Sequence, residues 1–382
     1  MIDFTLSPDH AELQKLYREF AEERIKPLAR EMDEKEEYSM DLVREMHKHG
    51  FFGIPFTVED GGSGGDVLAY SLCIEEVSKV DASTGITLSV HTSLCASSIN
   101  DFGTPEQKQR FLRPLASGGK VGCYGLTEPN AGSDAAGVLT VAVKDGDDYI
   151  INGSKIFTTN SGFADIFLVF ALTDKAAGTR GMSAFVVEKD SPGLTVSANI
   201  PRMGIRAASN CEVAYVDVRV PAANLIGDEG KGFKIAMKAL DGGRIGIAAQ
   251  AVGIAQGALN ETIRYVKERT QFGKPIAAFQ NTQFKLAEMQ TNIDAARLMT
   301  YRAAVAKDRG DGNYGVYAAM AKLIASDVAN SVTRDCVQFL GGYGYSREYG
   351  VERMMRDAKI TEIYEGTSEV MKMVISNSMG LK

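Results

Sequence analysis

A few stretches of this 382-residue chain hold side chains suited to chemistry on a bound molecule. In Arg356–Glu369, Glu365 stands between Tyr364 and Gly366, at an expected break between helices. A carboxyl wedged against an aromatic ring is partly desolvated, which raises its pKa toward the range of a general base. The competing reading is a solvated turn carboxylate. Tyr124–Asp134 gathers hydroxyls, an amide and glycines on one non-helical segment, able to offer short donors to a planar polar ligand or simply to turn the chain. In Arg269–Pro275 a guanidinium sits beside a glycine turn, as in a pyrophosphate clamp. A charged helix end reads equally well there. Gly61-Gly62-Ser63-Gly64-Gly65 matches a nucleophile elbow formally. That geometry needs a preceding strand and a later acid and histidine, and the only histidine downstream is His91, so a glycine turn is the better reading. The chain has neither the phosphate-binding G-x-x-x-x-G-K-[ST] nor the dinucleotide G-x-G-x-x-G pattern.

Positioning these residues falls to three successive regions. Residues 1–117 read as helical, with Ser7-Pro8 as a helix start and helices expected near 41–49, 68–80, 86–100 and 105–115. From 118 to 230, β-branched runs alternate with turns such as Asp145–Asp148, and strands this close imply an antiparallel sheet or small barrel. From 231 to 382 long helices return, near 232–268, 278–309 and 314–340. Val316, Met320, Ile324, Val328, Val332, Cys336 and Leu340 recur every fourth residue, an apolar stripe that Gly341-Gly342 stops.

Composition narrows the classes. Asp and Glu total 49 against 42 Lys and Arg, a net charge of −7, which opposes a nucleic-acid-binding role. Five scattered cysteines without a CxxC pair, and four histidines, suggest neither disulfides nor a metal site. The N-terminus lacks the apolar core of a signal peptide and no stretch is long enough for a membrane span. A soluble, cytoplasmic protein is expected.

Several segments, taken in order, resemble the acyl-CoA dehydrogenase family of flavoenzymes over nearly the whole chain. They are Ile54-Pro55 with Gly61-Gly62, Tyr124–Asp134, Asn152-Gly153-Ser154-Lys155, Met203-Gly204-Ile205-Arg206, Arg269–Pro275, Gln338–Tyr345 and Ile363–Thr367. The resemblance implies an α+β multidomain fold: an N-terminal helical domain, a central antiparallel β-barrel domain and a C-terminal four-helix bundle. It implies FAD as cofactor and α,β-dehydrogenation of an acyl-CoA thioester, with Glu365 removing the α-proton and a hydride passing to the flavin. Tyr124, Leu126, Thr127, Gly132, Ser133, Phe157 and Thr159 would line the flavin from their own subunit, Phe157 standing where the family usually has Trp. Arg269, Phe272, Gln338 and Gly342 would reach the FAD of a neighbouring subunit, and Thr367 and Glu369 resemble contacts to the adenosine side of FAD. Ser133, Asp241 and Arg244 would contact the CoA moiety, with Tyr364 and Gly366 flanking the base.

Some relatives carry the base in the segment matching Asp241–Arg244, where this chain has Gly243, so Glu365 stands unopposed. Val80-Asp81, Gly85–Ser89 and Leu240–Gly246 resemble the short-chain (butyryl-CoA) type. The Ser89–Ile99 helix would floor the acyl pocket, with His91 either a satisfied helix residue or a contact to a polar acyl group. Implied partners are the acyl-CoA, an electron-transferring flavoprotein and further copies of the chain, as a dimer or tetramer. An enoyl-CoA reductase uses the same residues in reverse. A lyase on a substituted acyl-CoA would need an extra cation in the pocket.

Overall fold

The computed structural model describes residues 5–381; the first four residues, on which part of the signal-peptide reading rests, lie outside them. Ser7 starts the first helix by accepting the His10 N–H, with Pro8 at the first helical position. That helix runs to residue 35 through a wide turn at Ala21–Ile25. Met40–Lys48 and Val67–Ser78 follow, the latter capped by Asp66. Asp81 caps a helix that begins at Ala82 and reaches Phe102 through a wide turn at Val90–Ala96. Thr104 and Gln107 form a reciprocal cap for the stretch ending at Ala116.

Eight strands make the middle of the chain: β1 Gly122–Gly125, β2 Val141–Asp145, β3 Asp148–Thr159, β4 Ile166–Leu172, β5 Met182–Glu188, β6 Leu194–Val196, β7 Asn210–Pro221 and β8 Leu225–Ile226. The expected β2–β3 hairpin turns at Gly146, whose φ of 64° suits glycine. The strand order is β6-β7-β3-β2-β4-β5-β8, with β1 beside β4. This is an open path, not the antiparallel barrel expected, and β1 and β2 both run parallel to β4. β1 arrives directly from the helical region and not through a hairpin, so no tight turn forces it to be antiparallel.

Gly232–Glu268, Gln280–Asp308 and Tyr314–Leu340 form three long helices of the C-terminal bundle. A broken fourth element, Val351–Lys359 then Ser368–Ser378, packs against the 314–340 helix. That helix ends at Gly341, φ 59°. Its buried face differs from the expected stripe. Ala318, Ala321, Lys322, Ala325, Ala329, Val332, Cys336 and Leu340 are buried, whereas Val316, Met320, Ile324 and Val328 are half-buried. An every-fourth row drifts by about 40° per step around a helix, so it cannot stay on one face. Close approach to the Ala- and Gly-rich 232–268 helix selects the small residues instead.

Charged groups tie the three regions together. Asp357 accepts the Ile205 N–H at 2.6 Å, Arg353 bonds Asp81 at 2.9 Å, and Arg356 reaches Asp33 at 2.7 Å. A Cβ at Gly204 would strike the Arg356 carbonyl. The Met203–Arg206 motif is thus the seam where the sheet meets the 351–359 helix.

Candidate active site

Glu365 lies in the break between the last two helices. Its φ is 53°, a left-handed conformation rare for a non-glycine residue, and Gly366 follows at 98°. The turn is held on both sides. The Tyr364 hydroxyl donates to the Gln250 side chain, Thr367 caps the 368–378 helix, and Lys322 Nζ donates to the Gly366 carbonyl. Both Glu365 carboxylate oxygens are shut off from solvent and have no hydrogen-bond partner. Burial raises the Glu365 carboxyl pKa to about 7, against the opposing pull of the Lys322 and Arg244 cations. A proton acceptor near neutrality results.

The carboxyl faces the 232–268 helix at Gly243. A Cβ there would collide with Glu365 Oε2 and come within 2.8 Å of Leu94 Cδ2. One turn on, at Gly246, a Cβ would strike the Tyr70 hydroxyl and approach Ser89 Oγ. The Tyr70 hydroxyl donates to Ser89 at 3.0 Å. Two missing side chains therefore admit the carboxyl at one level and the Tyr70–Ser89 pair at the next. Leu94 and Ser89 belong to the helix expected to floor the pocket. His91 does not face it as a ligand contact: fully buried, its Nδ1 accepts the Gly122 N–H at 3.0 Å.

Asp241 and Arg244 pair with each other on the 232–268 helix, and Arg244 is 5% exposed. Tyr124 of β1 is buried beneath this region; its hydroxyl donates to the Ala236 carbonyl at 3.4 Å. Desolvation pushes that phenol up, and the Glu365 charge adds to it.

Beside β1 lies a surface suited to a flat ring. Phe157 is 57% exposed near the C-terminal end of β3, where a bulge breaks the β3–β7 register, with φ 54°. Gly132 has open space where a side chain would project. Ser133 is exposed, Thr127 half-buried and Leu126 buried, and Thr159 Oγ1 accepts the Asn210 amide at 3.0 Å. The 126–128 loop is anchored by Lys155, which donates to the Leu126 carbonyl at 3.2 Å and to Glu128 at 2.7 Å. Glu128 also accepts the Leu139 and Thr140 N–H groups. This exposed aromatic, open glycine and set of hydroxyls fit a planar cofactor such as a flavin.

The remaining expected residues are elsewhere. Arg269, Phe272, Gln338 and Gly342 are all exposed where the 232–268 and 314–340 helices end, with Arg269 over the Tyr343 ring at 5.6 Å. At 1.5 Å per residue, Arg269 is about 39 Å along its helix from Gly243. One chain cannot bring both to one site. Glu369 is exposed in the first turn of the 368–378 helix. Lys322, Tyr70 and Gln250 border the carboxyl region without having been singled out from the sequence as site residues.

A neutral-range carboxyl at a glycine-lined helix contact, in a chain whose sheet offers an exposed aromatic platform, is an arrangement suited to moving a proton beside a flat bound molecule. Family models match consecutive stretches: the acyl-CoA dehydrogenase N-terminal domain at 7–119, middle domain at 123–218 and C-terminal domain at 230–380. The chain belongs to the acyl-CoA dehydrogenase family. It is 55% identical to the short-chain specific acyl-CoA dehydrogenase of Clostridium acetobutylicum, over 99% of this chain and 100% of that one. The three-dimensional structure of butyryl-CoA dehydrogenase from Megasphaera elsdenii superposes with a TM-score of 0.97 at 51% identity, covering 99% and 100% of the two chains. A chain solved in work on the electron transferring flavoprotein of Acidaminococcus fermentans and flavin-based electron bifurcation gives 0.98 at 52% identity, covering 99% of each.

Proposed function

We propose that this protein is an FAD-dependent dehydrogenase of short-chain acyl-CoA thioesters, with Glu365 as the base for the α-proton. The observation that carries this reading is the Glu365 carboxyl, buried, free of hydrogen bonds and poised near pH 7. A carboxylate without hydrogen bonds keeps its full basicity for a proton on carbon. Contact between Gly246 and the Tyr70–Ser89 pair, about 4.5 Å along the helix from Gly243, limits the depth available to an acyl chain. Short chains fit that limit. Asp241 and Arg244 supply polar contacts for the CoA portion, with Ser133, Tyr364 and Gly366 bordering the thioester.

Tyr124, Leu126, Thr127, Gly132, Ser133, Phe157 and Thr159 would hold FAD from the same chain; when bound, the flavin supplies the hydride acceptor. Arg269, Phe272, Gln338 and Gly342 complete the site of another copy, and Thr367 and Glu369 lie toward the adenosine end. The helix-length separation supports this division and hence a homo-oligomer, a dimer of dimers by family resemblance. An electron-transferring flavoprotein is the redox partner, in line with the Acidaminococcus neighbour. Domain boundaries are placed at 117/118 and 230/231; the family models match 7–119, 123–218 and 230–380, within a few residues of them. Five buried, unpaired cysteines suit a cytoplasmic setting.

Glu365→Gln tests the base. The variant should retain yellow FAD and lose anaerobic flavin bleaching by butyryl-CoA by about 10²–10⁴-fold. Bleaching at the wild-type rate would reject the assignment.

A further inference from the structure

Lys322 is the least expected group near the site. It lies on the alanine face of the 314–340 helix and is 0% exposed. Buried lysines are rare unless paired, yet its hydrogen bond goes to a neutral carbonyl, that of Gly366, rather than to a carboxylate. The Glu365 carboxyl, one residue before that carbonyl, is bare. Lysine and carboxylate thus share a water-poor space without touching.

We infer that Lys322 is the positioning residue of the catalytic base: it fixes the left-handed Glu365–Gly366 turn through the Gly366 carbonyl and supplies, through space, the charge that lets Glu365 ionise. This inference rests on Glu365 being the base. A direct Lys322–Glu365 ion pair would occupy a carboxylate oxygen and lower its basicity. Tying the ammonium to the adjacent carbonyl keeps the charge close and leaves the oxygens free. An opposite charge nearby favours ionisation while burial opposes it. The observed directions agree: burial raises Glu365 and the Lys322 charge lowers it, while burial brings Lys322 down to about 8 and Glu365 opposes that fall.

Other groups face the pair. Arg244, from the 232–268 helix, acts on both, while the phenols of Tyr70, Tyr124 and Tyr364 feel Glu365. Glu362, Glu369 and Asp327 interact with Lys322. Arg244 already has Asp241 as its partner, so it cannot fully replace the charge lost with Lys322.

The test compares wild type, Lys322→Met, Lys322→Arg and Glu365→Gln as FAD-loaded enzymes. One readout is the pH profile of kcat/KM for butyryl-CoA; the other is infrared titration of the carboxyl band that Glu365→Gln removes. Lys322→Met should move the acid limb and the band's midpoint together to higher pH, by about 1–3 units. Lys322→Arg should reverse most of that shift. An unshifted midpoint in Lys322→Met would overturn the inference, as would a uniform loss of activity at every pH with no rescue by arginine. If Glu365→Gln remains active, the underlying assignment of the base fails instead.

Discussion

Glu365 combines two unfavourable conditions, a left-handed backbone and a carboxyl without partners. Strain and desolvation of this kind persist where the surroundings over-determine a residue, here through Lys322, Gln250 and the Thr367 cap. They have a thermodynamic signature. The folded carboxyl titrates near 7 instead of 4.5, so the folded state holds its proton more tightly than the unfolded chain. Stability then falls as pH rises above the unfolded value, and the loss is complete above about pH 7. Glutamine is neutral throughout. Glu365→Gln should therefore be more stable than wild type at pH 8, by up to about 3 kcal/mol, and within about 1 kcal/mol of it at pH 5. Urea unfolding at the two pH values measures this; a gap independent of pH would contradict it.

At the scale of elements, most of the framework could be read from the sequence. The 232–268 and 314–340 helices fall at the expected residues because caps, periodicity and the Gly341 stop agree. At Glu365 the residues themselves, an aromatic, a carboxylate and a glycine at a helix break, left a solvated turn carboxylate as the competing reading, and only the family resemblance singled it out as a base. Lys322 was not, because its burial depends on a carbonyl 44 residues later. In its own helix it looks like any surface lysine. Lys155 shows the same limit: Asn152–Lys155 was recognised as a motif, but its work emerges only when Lys155 meets Glu128 and the Leu126 carbonyl. The parallel pairing of β1 and β2 with β4 was missed since nothing in a short strand's sequence states which way its partner runs. Removing Lys155 leaves the buried Glu128 carboxylate, otherwise bonded to backbone N–H groups, without its cation and frees the 126–128 loop. Lys155→Met should weaken FAD retention by about tenfold or more, equivalent to ~1.4 kcal/mol, measured by fluorescence of released FAD. Unchanged retention would separate that loop from the cofactor.

At the scale of the whole molecule, ion pairs join regions distant in sequence. Arg353 bonds Asp81 and the Val80 carbonyl, fixing the 351–359 helix to the start of the 82–102 helix. One of those helices carries Ser89 and Leu94 and the other leads into the Glu365 turn, so the seam joins two sides of the site. Breaking a buried pair leaves an uncompensated charge and costs about 3–5 kcal/mol. Arg353→Met should lower the unfolding free energy by that order in urea titrations, and a change below about 1 kcal/mol would show the seam to be dispensable. The same scale explains why the exposed Arg269 and Phe272 lie far from the carboxyl: their helix runs from one end of the bundle to the other.

We propose that Glu365 takes a proton from carbon. It can be measured apart from electron transfer by following deuterium exchange at the α-carbon of a 3-thia acyl-CoA, which has no β-hydrogen to lose, bound to the FAD-loaded enzyme in D2O. Wild type should catalyse exchange with an acid limb near pH 7 and Glu365→Gln should not. Equal exchange by both proteins would contradict the account.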